Sequence, residues 1–96
     1  MNLEEIKYIL KENKSYMQSA YGLKSVGIFG SVAKGTTHSK SDIDLLVELS
    51  EPDYYKYAGL QKFLEEKLKM KVDLIRKGPH LSSDFLLSIK DQLLYA

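Results

Sequence analysis

Two periodicities alternate along the chain. Leu3, Ile6, Ile9, Leu10, Met17 and Tyr21 recur near helical spacing, with Glu4, Glu5, Lys7, Lys11 and Glu12 on the other side. This predicts an amphipathic helix over 3–21. Asn2 followed by Glu5 is a capping-box signature at its start, and Gly22 is placed to stop it. The apolar run KSVGIF, 24–29, predicts a strand ending at Gly30. SVAKG then suits a helical turn, TTHSKS (36–41) a loop, DIDLLVEL (42–49) a second strand and SEPD (50–53) a turn. Residues 54–69 predict a second long helix, with Leu60, Phe63, Leu64 and Leu68 on one side. MKVDLIRK, 70–77, predicts a third strand, closed by Gly78-Pro79. Residues 82–95 predict a last helix, capped by Ser82 or Ser83, with Phe85, Leu86, Ile89 and Leu93 on its apolar side.

The order αβ(α)βαβα predicts an α/β or α+β layer fold: a small mixed β-sheet with helices packed on one face and the other face open in part. Ninety-six residues support one domain, 1–96, with a small core.

Composition narrows the possibilities. Hydrophobic residues make up 44% and charged residues 28%, which argues for a globular chain rather than a disordered one. The formal net charge of +1, from 14 basic and 13 acidic residues, is no footprint for a nucleic-acid duplex. Direct nucleic-acid binding is not expected, and the local cluster Lys67, Lys69, Lys71, Arg76 and Lys77 reads as a solvated surface. No cysteine is present, which excludes disulfides and thiolate metal sites and is compatible with a reducing compartment. The N-terminus begins with acids rather than a basic stretch, and no apolar run approaches the roughly 20 residues of a membrane span. A cytoplasmic protein without membrane attachment is expected.

The second strand carries an oddity. Asp42 and Asp44 occupy strand positions, where Asp is disfavoured. Side chains alternate along a strand, so the two share one face, while Ile43, Leu45, Val47 and Leu49 share the other, apolar face. Two carboxylates so placed repel unless a cation lies between them, and an all-oxygen site of this kind suits Mg²⁺, or Mn²⁺. In the third strand Val72 and Leu74 share a face and Asp73 opposes them. If that strand lies beside the second, Asp73 joins Asp42 and Asp44, and three carboxylates can hold two divalent ions for in-line displacement at phosphorus.

What precedes the acids fits a phosphate ligand. Gly30 ends a strand and Ser31 begins a helical turn. Glycine lets a phosphate approach the backbone, a helix N-terminus offers N–H groups to an anion, Ser31 adds a hydroxyl, and Lys34 brings an ammonium one turn on. Gly35 permits the chain to turn away.

The stretch GSVAKGTTHSKSDIDLLV, with its Gly-Ser pair and Asp-x-Asp eleven residues on, resembles the signature of the DNA polymerase beta-like nucleotidyltransferase superfamily. So short a chain most resembles the minimal nucleotidyltransferases, and the likeness runs from the first helix through VDLI to the final LLSIKDQLLY. Proteins of that group are commonly antitoxins, encoded beside a HEPN-domain toxin. The resemblance implies a polymerase beta-like fold, ATP as substrate and transfer of AMP to a hydroxyl, notably a tyrosine of the HEPN toxin. It implies nucleotide binding by Gly30 and Ser31, with Lys34 near the phosphates. It also implies two Mg²⁺ ions held by Asp42 and Asp44, and Asp73 as third metal ligand and acceptor of the hydroxyl proton. Two positions depart from the pattern: Lys34 stands where many relatives have Arg, and Thr36 where an acid is frequent. Lysine keeps the charge but loses the bidentate fork.

Two other functions are compatible with the same residues. One is an antitoxin that neutralises its partner by binding and keeps a vestigial site. The other is a nucleotidyltransferase for a small molecule, for which 96 residues leave little room to hold an acceptor. His38 and His80 form no zinc spacing; His38 reads as an exposed loop histidine, His80 as helix-flanking, and Tyr54, Tyr55 and Tyr57 as the packed or exposed start of the second helix.

Overall fold

The structure, a computed structural model, describes residues 2–30 and 43–96. In chain order its elements are α1 (Leu3–Glu12), α2 (Lys14–Tyr21), β1 (Leu23–Phe29), β2 (Ile43–Leu49), α3 (Tyr54–Leu68), β3 (Val72–Arg76), α4 (Ser83–Ile89) and β4 (Leu94–Tyr95). The strands form one sheet in the order β3-β2-β1-β4. β1 runs antiparallel to β2 and β4, and β2 parallel to β3. A parallel pair needs a long crossover, and α3 supplies it. The mixed sheet is the one expected.

The first predicted helix is two. Asn13 ends α1, with both its backbone N–H (3.1 Å) and its side-chain Nδ2 (2.8 Å) donating to the Ile9 carbonyl. An asparagine side chain that takes a helix carbonyl competes with continuation of the helix. The apolar stripe survives the break, because Ile6, Leu10 and Met17 are all buried together. The caps agree with expectation: Asn2 and Glu5 complete a capping box, and Gly22 closes α2 at φ 70°. Asp53, in the predicted turn, caps α3 by accepting from Tyr55 and Lys56 N–H at 2.9 and 3.1 Å.

α1, α2 and α3 pack on one face of the sheet. Leu60, Leu64 and Leu68 of α3 meet Val26 and Ile28 of β1, Ile43, Leu45 and Val47 of β2, and Val72 and Leu74 of β3. α3 also covers the outer edge of β3. Tyr57 Oη donates to the Leu74 carbonyl, Gln61 Nε2 donates to the Val72 carbonyl at 3.1 Å, and Glu65 accepts from Val72 N–H at 3.0 Å. Those three side chains are spaced four residues apart, hence on one stripe of the helix. They satisfy backbone groups that an edge strand would otherwise offer to another chain.

The predicted helix over 82–95 is corrected: it stops at Ile89. Leu94 and Tyr95 pair instead with Ile28 and Gly27, and Ala96 N–H donates to Val26 O at 3.0 Å. β1 would otherwise leave backbone groups on that side unpaired, and ladder bonds outweigh the local helical pattern. Ser82 caps α4 as expected. The helix covers part of the sheet's second face, where Ile89 packs with Phe29 and Leu46, backed by Phe85, Leu86 and Leu93.

Candidate active site

The candidate site lies on that second face. Ile43, Leu45, Val72 and Leu74 turn into the core, so Asp44 and Asp73, between them in sequence, face the other way. The parallel register makes Asp44 and Asp73 direct partners. Neighbouring strands lie about 4.8 Å apart, so the two carboxylates are side by side on one face. Asp44 is half-buried and Asp73 exposed. Asp73 makes no ion pair among the described residues, where the pairs are Lys24–Glu48 and Lys56–Glu51.

Gly30 meets them at the end of β1. Its neighbour Phe29 is the register partner of Asp44. Gly30 has φ +79°, a left-handed conformation that favours glycine, and a Cβ there would run into the Asp44 carboxylate oxygen Oδ2. The residue is glycine for two reasons at once: the turn it makes, and the carboxylate seated against its backbone.

Of the residues singled out in the sequence, the structure brings together Gly30, Asp44 and Asp73. Asp42, Ser31 and Lys34 lie outside the described residues, as do Gly35, Thr36, His38 and the predicted helical turn. No cluster of three metal-ligating side chains occurs among the described residues. The two carboxylates present are a hard oxygen donor pair on a solvent-facing surface, which fits Mg²⁺ or Mn²⁺ and is unsuited to softer metals.

Two neighbours of the site were not expected there: Gln92, and Tyr57, which reads as part of the start of the second helix. Gln92 Oε1 accepts from the Gly30 N–H at 3.2 Å. Tyr57 lies close enough to feel Asp73: burial first, then the Asp73 carboxylate, hold its phenol above the usual pKa of 10.0, while Arg76 acts in the opposite direction. A cavity of about 520 Å³ opens beside β3, lined by Leu74, Ile75 and Arg76 with Tyr54, Tyr57 and His80. Arg76 Nη2 lies 3.5 Å from His80 Nδ1. Among the described residues no helix is long and apolar enough to cross a membrane.

A glycine turn at a strand end, set against carboxylates on adjacent strands of a small mixed sheet, is the arrangement expected of a nucleotidyltransferase from the sequence signature. The chain belongs to the nucleotidyltransferase domain family, which it matches over residues 3–95. It is 43% identical over 94 residues to MJ0128 of Methanocaldococcus jannaschii, which carries a provisional name as a protein adenylyltransferase; the match covers 97% of this chain and 96% of that protein. It is 37% identical over 79 residues to the protein adenylyltransferase MntA of Thermococcus cleftensis, covering 81% of this chain and 80% of that one. The crystal structure of a toxin–antitoxin with AMP-PNP superposes with a TM-score of 0.69 at 26% identity, over 99% of this chain and 72% of that chain. The resemblance read from the Gly-Ser and Asp-x-Asp signature therefore holds.

Proposed function

We propose that the chain, as a single domain over 1–96, transfers AMP from ATP to a hydroxyl of a protein, a tyrosine of a HEPN-type toxin, and so acts as the toxin's antitoxin in the cytoplasm. The observation that carries this reading is the pairing of Asp44 with Asp73 on adjacent strands, against the Gly30 turn. The names of the relatives as protein adenylyltransferases support it, and so does the toxin–antitoxin neighbour with AMP-PNP, an analogue of ATP.

The residues divide the work as follows. Gly30 makes the turn against which the Asp44 carboxylate sits, and Ser31 and Lys34 would add a hydroxyl and an ammonium for the triphosphate. Asp42, Asp44 and Asp73 would hold two Mg²⁺ ions, which neutralise charge on the phosphates when bound. Asp73, which is exposed, takes the acceptor's proton. The acceptor oxygen bonds to the α-phosphorus, the bond from that phosphorus to the bridging oxygen breaks, and pyrophosphate leaves.

The test is intact-mass spectrometry of a HEPN protein encoded beside this chain, incubated with it, ATP and Mg²⁺. The partner should gain one or more AMP units. Full neutralisation of the toxin without any gain in mass would contradict transfer and point to an antitoxin that works by binding.

A further inference from the structure

β4 pairs with β1 at Leu94 and Tyr95 only, opposite Ile28 and Gly27. Continuing that register would set Gly30 opposite Gln92. No ladder bond is made there. Instead the Gln92 side chain folds over and its Oε1 accepts the Gly30 N–H at 3.2 Å. The other end of the same amide is fixed too: Nε2 donates to the Ser88 carbonyl at 3.2 Å, and the Gln92 backbone N–H donates to Ile89 O at 3.0 Å. The donor end is thus used within the C-terminal segment, and the acceptor end is the one presented to Gly30.

We infer that Gln92 is a positioning residue for the nucleotide site: it holds the Gly30 peptide in the one orientation that lets the Asp44 carboxylate seat against it. This rests on the nucleotidyl-transfer reading above. The Gly30 backbone touches Asp44, so a peptide free to rotate there would displace a carboxylate of the site or be displaced by it. Gln92 contributes little to the core, which lies mainly on the sheet's other face. Its loss should therefore be felt in the site before it is felt in the fold.

Gln92→Met keeps the length of the side chain and removes the acceptor. In this variant the Gly30 amide should exchange with solvent several-fold faster, while other β1 amides keep their protection and the melting temperature stays close to wild type. ATP affinity in the presence of Mg²⁺, read by calorimetry, should fall about three- to tenfold, the effect of one neutral hydrogen bond. Gln92→Glu restores an oxygen at the same place and should keep Gly30 exchange slow. Unchanged Gly30 exchange in Gln92→Met, or fast Gly30 exchange in folded wild-type protein, would overturn the inference; the second readout needs no variant. Equal ATP affinity of wild type and Gln92→Met would also overturn it. Wild-type protein that binds no ATP would overturn the nucleotide reading itself, a distinguishable result.

Discussion

The two faces of β2 and β3 are built to opposite requirements. On one, Ile43, Leu45, Val47, Val72 and Leu74 are buried by three helices. On the other, Asp44 and Asp73 sit in register beside a glycine, and among the described elements only α4 covers part of the surface, over Phe29 and Leu46. The strands are the same, so a one-residue shift in sequence moves a side chain from the region that sets stability to the region that sets chemistry. Stability and activity should therefore separate cleanly between alternate residues of each strand.

The largest effect that would break this comparison is at Asp73. Asp73→Asn should lower AMP transfer about a hundredfold or more, the scale for removing a preorganised charged group, while the complex with the partner persists. Melting temperature without metal should be unchanged or raised, because one of two neighbouring negative charges is gone. Mass spectrometry and a thermal melt check both halves. A large loss of stability would make Asp73 structural.

Leu45, the residue after Asp44, should give the reverse. Leu45→Ala empties a fully buried position and should cost about 2–5 kcal/mol, with the melting temperature lower by about 4–8 °C for each kcal/mol. Transfer per folded molecule should stay near wild type at low temperature. Loss of activity in protein shown to be folded would mean that the two faces are not separable.

A smaller effect sharpens the boundary between them at Tyr57. Its hydroxyl ties α3 to the Leu74 carbonyl, and Tyr57→Phe should cost about 0.5–1.5 kcal/mol in chemical denaturation. Its phenol is held above the ordinary pKa of 10.0, so the folded state favours the protonated form. That contribution is fully present below pH 10.0 and is lost as pH rises through the folded value. Stability should fall less steeply above pH 10.0 in Tyr57→Phe than in wild type. Tyr8 and Tyr21, also raised, will leave part of the fall in place.

The acid face was readable because it depends on local alternation. Val72-Asp73-Leu74 and Ile43-Asp44-Leu45 each state which way their aspartate points, and a parallel register then pairs them. The caps at Asn2, Gly22 and Ser82 were readable for the same reason: each depends on a few adjacent residues. The break at Asn13 had a local signal, an asparagine in a helical run, though many such residues are tolerated. Residues 90–95 had none. No Gly or Pro interrupts 82–95, and only pairing with β1, more than sixty residues away, turns Leu94 and Tyr95 into a strand. Gln92 was hidden by the same fact, since its hydrogen bond to Gly30 exists only once that pairing is made. The Tyr57–Gln61–Glu65 stripe was legible as a helix face, but its role at the edge of β3 depends on where α3 lands.

The most direct test of the acid face as a nucleotide–metal site is calorimetric titration of ATP into wild-type protein and Asp44→Asn, each with Mg²⁺ and with excess chelator. Wild type should bind ATP weakly in chelator and markedly more tightly with Mg²⁺, and folded Asp44→Asn should lose that gain. Equal ATP affinity in chelator and in Mg²⁺ for the wild-type protein would contradict it.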